Sequence, residues 1–127
     1  MTDRPLLSIR NLNVRYPTER GPAHALRGID IDIPENTVVG IVGESGSGKS
    51  TLALSLMGLL SGNAMESAES VVFNGVDLSS LTPSRRRRLR GTKMAMVFQD
   101  PMSALHPLFT VGTQMVDIQR AKVPDAE

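Results

Sequence analysis

Thr37-Val38-Val39-Gly40-Ile41-Val42-Gly43-Glu44-Ser45-Gly46-Ser47-Gly48-Lys49-Ser50-Thr51-Leu52 holds the strongest signal in this 127-residue sequence. Val38, Val39, Ile41 and Val42 form a nearly continuous apolar run, the pattern of a strand buried on both faces in a parallel sheet. Lys49 to Leu60 reads as a helix that is apolar nearly all round, and such a helix is a buried one. Between them Gly43 to Ser50 fits G-x-x-x-x-G-K-[ST] in the strand-then-helix context that gives the motif its meaning. Glycines let the backbone wrap with its N–H groups inward as an anion nest, and the helix N-terminus adds partial positive charge. Lys49 is placed to meet the β- and γ-phosphates of a nucleoside triphosphate, Ser50 to offer its hydroxyl to Mg²⁺, and Thr51 to face the α-phosphate side. A plain Gly/Ser turn between a strand and a helix is the structural alternative.

Working outward toward the N-terminus, Leu6 to Tyr16 reads as a strand with rough alternation and an irregularity at Asn11. Pro17 to Pro22 is a loop. Leu26 to Ile33 follows as a second strand, in which Ile29, Ile31 and Ile33 alternate with Asp30 and Asp32. One wet face suits an antiparallel sheet. Pro34-Glu35-Asn36 is a turn. Toward the C-terminus, Ser61-Gly62-Asn63 closes the helix and Ala64 to Ser70 shows no clear pattern. Val71-Val72-Phe73 is a strand leading into Asn74-Gly75, a tight-turn dipeptide. Thr82-Pro83 opens a short helix through Arg90, with threonine as cap and proline at the first helical position. Met94 to Phe98 reads as another buried strand. Gln99 to Phe109 is a loop, and Thr110 caps a helix to about Ala121.

Composition narrows the classes. Apolar residues are 40% and charged residues 21%, as in ordinary soluble domains. Cysteine is absent, which excludes disulfides and thiolate metal sites. Met1 to Arg10 lacks the pattern of a signal peptide, and the apolar stretch Leu52 to Leu60 is far short of the ~20 residues a membrane helix needs. Arg85-Arg86-Arg87-Arg88, Arg90 and Lys93 form a basic cluster. With 13 acidic against 14 basic side chains it reads as a solvated helix face, not a nucleic-acid surface. His24 and His106 have no partners at metal spacing and read as ordinary polar or loop histidines. Met57, Met94, Met96, Met102 and Met115 read as gap-filling core or interface residues.

Ile41 to Thr51 resembles the phosphate loop of ABC transporter ATP-binding subunits. Met94-Ala-Met-Val-Phe-Gln-Asp-Pro-Met-Ser-Ala-Leu-His-Pro-Leu-Phe-Thr-Val-Gly-Thr-Gln114 resembles the Q-loop region of the dipeptide, oligopeptide and nickel importer branch, and Phe73 to Leu78 and Arg88 to Gly91 fit the same branch. The resemblance implies an α/β fold, a P-loop NTPase core with an antiparallel β-subdomain, here the incomplete N-terminal half. It implies ATP and Mg²⁺ as ligands. Tyr16 would stack on adenine; otherwise it is a sheet-edge tyrosine. Gln99 would reach Mg²⁺ and the attacking water; otherwise it caps a strand end. Asp100 to Phe109 would face a membrane permease subunit at the cytoplasmic side of the inner membrane. A second ATP-binding subunit and, indirectly, a solute-binding protein complete the implied assembly.

The family's other hydrolytic parts are an apolar strand ending in Asp-Glu, a Leu-Ser-Gly-Gly-Gln-type signature and a switch histidine. None occurs between Gln99 and Glu127, so residues 1–127 are expected to be the N-terminal part of a nucleotide-binding domain, ending where the helical subdomain starts. This chain by itself is expected to hydrolyse ATP negligibly. A soluble P-loop ATPase or kinase, and a non-catalytic remnant, are the alternatives. Solute identity is not encoded in such a site.

Overall fold

The computed structural model describes residues 4–122; the expectations for residues 1–3 and 123–127 lie outside the described residues. The chain divides into two compact units, one up to Arg87 and one from Arg88.

The first unit is built on β1 (Leu7–Tyr16) and β2 (Ala23–Ile33), paired antiparallel. Leu7, Ile9, Leu12 and Val14 are the buried side of β1. Their spacing slips by one residue between Ile9 and Leu12, which in a uniform pleat would turn the second pair toward solvent. Asn11 absorbs the slip by taking φ 51, while opposite it Gly28 takes φ 57. The strands shift register together, so Leu12 still faces Ile29 and Val14 faces Leu26. Side chains fasten this doubled bulge: Asn11 N donates to Asp30 Oδ1 at 2.7 Å, and Gly28 N to Asn13 Oδ1 at 2.9 Å. On the wet face Arg10 and Asp32 form an ion pair at 2.6 Å. The hydrogen bond from Arg10, then one from Ser8, hold Asp32 below the usual carboxylate range.

The other edge of β1 is shared. β3 (Met65–Ser67) pairs with Asn13–Arg15, and β4 (Ser70–Phe73) pairs with Leu7–Arg10, both antiparallel. β5 (Val76–Asp77) returns along β4. Asn74 (φ 47) and Gly75 (φ 77) make that hairpin, as a left-handed two-residue turn requires. A 3-10 turn, Leu78–Ser80, then buries Leu78 in the core; Asp77 caps it by accepting from Ser79 N at 2.9 Å and from the Ser79 hydroxyl.

The helix α1 (Lys49–Met57) buries Leu52, Ser55 and Met57. Gly58 stops it before Leu60. Gly58 N donates to Ser55 O and Leu59 N to Leu54 O, a Schellman closure with glycine in the left-handed region. α1 is less buried than its composition suggests, since Ala53, Leu54 and Leu56 are only half-buried.

α2 (Pro83–Leu89) begins as expected: Arg85 N reaches Thr82 Oγ1 at 3.4 Å. In the second unit Pro101–Ser103 is a 3-10 turn, and α3 (Val111–Lys122) is capped by Thr110 Oγ1, which accepts from Thr113 N at 3.2 Å.

Two expectations fail. Neither Val38 to Val42 nor Met94 to Phe98 is a strand, and neither is buried: Val42 is 97% and Val97 93% exposed. Met94 makes one isolated parallel bridge, with Arg90. A strand buried on both faces holds only with paired neighbours and a covering layer on each side. Among the described residues no parallel strand pairs with either run, and an apolar run without partners gains nothing by extending. The chain is thus α/β with its antiparallel subdomain formed, while the parallel core is not assembled among these residues. β3 was not anticipated. Its three residues are all exposed, so Met65-Glu66-Ser67 carries no apolar alternation to read.

Candidate functional site

The loop from Gly43 to Ser47 is exposed and closes on itself. Ser47 N donates to Glu44 O at 3.2 Å. Lys49 Nζ donates to Gly43 O at 2.7 Å, to Glu44 O at 2.6 Å and to Ser47 Oγ at 3.2 Å. The ammonium therefore lies against the loop that precedes it, and an entering anion competes with three oxygens for this cation.

Two glycines make the curve possible. Gly46 has φ 80 and Gly48 has φ 99. At Gly48 a second constraint applies, because an added Cβ would lie 2.6 Å from Ala25 O and 2.8 Å from Leu26 Cδ2. The loop is pressed onto β2 at that point, and only hydrogen fits. At Gly43 a Cβ would meet Ser47 Oγ at 2.6 Å.

Gly48 is also the N-cap of α1. No side chain caps this end and its first turn carries no acidic residue. The partial positive charge of the helix start is left for an external anion. Ser50 and Thr51 sit in this first turn, Ser50 exposed and Thr51 half-buried. Their hydroxyls are hard oxygen donors, the chemistry Mg²⁺ takes.

Tyr16 closes β1 opposite Ala23, two residues before the Ala25–Leu26 step that supports Gly48. The half-buried ring is therefore at the same end of the β1–β2 ladder as the loop. Gln99 is at an exposed bend in the second unit, followed by a loop to Phe109 that is exposed from Met102 onward. That loop is organised by Gln114, whose Nε2 donates to His106 O and Phe109 O and whose Oε1 accepts from His106 N. His106 packs on Phe109 with ring centres 4.8 Å apart and accepts from Leu108 N at 3.2 Å, the part of a loop histidine.

Three features escaped the sequence reading. The support from Ala25 and Leu26 leaves no motif. Gln114 carried no signal apart from its place in the resembling segment. Arg86 corrects the reading of the basic cluster as a solvated face: it is half-buried and donates to Ser55 O at 2.6 Å. Of the methionines, Met57 is core, Met94 and Met96 are half-buried, and Met102 and Met115 are exposed. No helix among the described residues is long and apolar enough to cross a membrane.

Known proteins resemble this chain in sequence. The chain is 44% identical over 112 residues to a dipeptide transport ATP-binding protein of Escherichia coli (strain K12), covering 88% of this chain and 34% of that protein. It is 40% identical over 114 residues to an oligopeptide transport ATP-binding protein of Haemophilus influenzae, covering 90% and 35%. A probable D,D-dipeptide transport ATP-binding protein of Escherichia coli (strain K12) is 38% identical over 122 residues, covering 95% and 37%. The chain thus spans about a third of the length of the curated relatives it matches. The profile of the family described as ABC transporter matches residues 26–126, from Leu26 of β2 through the loop and α1 to near the end of the second unit, and the chain belongs to that family.

Proposed function

We propose that this chain binds Mg-ATP through Gly43, Glu44, Ser45, Gly46, Ser47, Gly48, Lys49, Ser50 and Thr51, with Tyr16 stacked on the adenine. The observation that carries this reading is the Gly43–Ser50 loop, held by Gly48 against Ala25 and Leu26 at the uncapped start of α1. Lys49 exchanges its loop oxygens for the β- and γ-phosphates, and the backbone nest takes the rest of the charge. Ser50 Oγ and Gln99 would hold Mg²⁺, which would supply neutralisation of the phosphate charge. In the same reading Gln99 also orients the attacking water.

Residues 1–127 would form the N-terminal part of a nucleotide-binding domain of an importer for dipeptides, oligopeptides or a related solute such as nickel. It would work at the cytoplasmic face of the inner membrane. Asp100 to Phe109 would meet a permease subunit, and a second ATP-binding subunit would complete hydrolysis. The names of the relatives and the Gln114-ordered loop support this assignment.

Titration of the purified chain with a fluorescent ATP analogue tests the core of it. Wild type should bind with Mg²⁺ present, and Lys49→Ala should weaken binding at least tenfold. Equal affinity in the two would sink the assignment. Turnover by the 127-residue chain should stay below ~0.1 s⁻¹, low against ordinary enzymes.

A further inference from the structure

The sequence presents four consecutive arginines, and the structure treats one of them differently. Arg86 Nη2 donates to Ser55 O at 2.6 Å, in the last turn of α1. Its guanidinium lies against Gly58, where an added Cβ would come within 2.9 Å of Arg86 Nε and 3.3 Å of Cζ. The Glu66 carboxylate joins from β3: it is 3.9 Å from Arg86 Nη2 and accepts from Ser55 Oγ at 3.1 Å. Ser55, only 1% exposed, is thus held through both its hydroxyl and its carbonyl. α1 has no basic residue in its own last turn. A cation there is favourable because unpaired carbonyls concentrate partial negative charge at a helix C-terminus. Arg86 supplies that cation from another element.

We infer that Arg86, paired with Glu66, is a positioning residue for the phosphate site, acting by fixing the far end of the helix that carries Lys49, Ser50 and Thr51. The inference rests on the reading of Gly43–Ser50 as a triphosphate site. α1 is only nine residues, about 13 Å at 1.5 Å per residue. One end is seated by Gly48 on Ala25 and Leu26, the other by Arg86 and Glu66. Three side chains of the helix are buried between these points. Freeing one end of so short a rod lets it pivot on the other, and the pivot is the loop. A shift of about an ångström at reacting groups is enough to cost much of a site's function.

The test measures binding of a fluorescent ATP analogue with Mg²⁺ to the 127-residue chain, well below each variant's melting temperature and with folding checked by circular dichroism. Arg86→Ala should weaken binding five- to tenfold, and Arg86→Lys, which restores a cation able to reach Ser55 O, should recover it to within about threefold. Glu66→Gln should weaken it two- to threefold. Wild-type affinity in folded Arg86→Ala overturns the inference, however far the melting temperature falls. A loss that Arg86→Lys does not reduce overturns it too, because the cation at the helix end is then not what acts. Should Arg86→Ala fail to fold, Glu66→Gln decides, and wild-type affinity there is the overturning result. Lys49→Ala separates the two claims: if it binds as wild type, the site reading fails and the positioning role falls with it. If it loses binding while the Arg86 and Glu66 variants do not, only the positioning role fails.

Discussion

Gly48 joins two requirements at one backbone position. Its φ of 99 disfavours any side chain, and Ala25 O leaves no room for one. Gly48→Ala should cost more than about 1 kcal/mol of stability, the scale for alanine forced to positive φ. It should also weaken ATP-analogue binding at least tenfold, since the loop must lift from β2. Urea unfolding and the binding titration check the two halves separately. Asp77 shows the opposite economy, a side chain doing backbone work. It accepts from the Ser79 hydroxyl and the Ser79 amide, which together hold its carboxyl below the usual range. Asp77→Ala should cost about 1 kcal/mol at neutral pH, as for loss of a cap. Because the folded value is depressed, the stabilisation is complete above the unfolded value of about 3.9 and fades as pH falls through the lower folded one. Wild type and Asp77→Ala should therefore converge in urea midpoint as the pH is lowered below about 4. The Gly43–Ser50 motif was plain in the sequence because its chemistry fixes both residue types and spacing. Its supports were not, since Ala25 contributes a carbonyl that any residue possesses.

At the scale of elements, the alternating strands β1 and β2 were legible, the fully exposed β3 was not, and two continuous apolar runs read as strands are not strands. Asp30 and Asp32 between isoleucines signalled β2, and Asn74-Gly75 signalled the β4–β5 turn. Asn11 was visible only as an irregularity; its meaning needed the partner strand, where Gly28 breaks register at the same level. The two bulges keep Leu12 and Val14 in the core only together. Gly28→Ala should therefore destabilise by about 1 kcal/mol or more, through its φ of 57, since an added Cβ would meet only ordinary contact with Asn11 Oδ1. Thermal unfolding measures the loss, and loss of protection of the Gly28 amide in hydrogen exchange would locate it. Continuous apolar runs were misread for a physical reason: the pattern states what a segment needs, not whether this stretch of chain provides it. Val38 to Val42 and Met94 to Phe98 carry the composition of a parallel core without its partners.

For the whole molecule those runs are a solubility problem. Val38, Val42 and Val97 are all more than nine-tenths exposed, and exposed apolar side chains promote association. Replacing Val38 and Val42 by lysine should leave the melting temperature nearly unchanged, because neither side chain is packed, and should reduce self-association in size-exclusion chromatography. An unaltered elution profile with a large fall in melting temperature would contradict the exposure seen here. The sheet has its own history in time. β1, the strand to which β2, β3 and β4 all bind, is made first and β2 follows at once, but its second edge waits for Met65 to Phe73. At ~5–20 residues per second of synthesis, the roughly 40 residues from the end of β2 to the end of β4 take on the order of 2–8 seconds. For that interval the newborn hairpin shows an unpaired ladder to every neighbouring polysome product. The doubled kink at Asn11 and Gly28, which shifts register midway, makes that edge a poor template for a straight foreign strand.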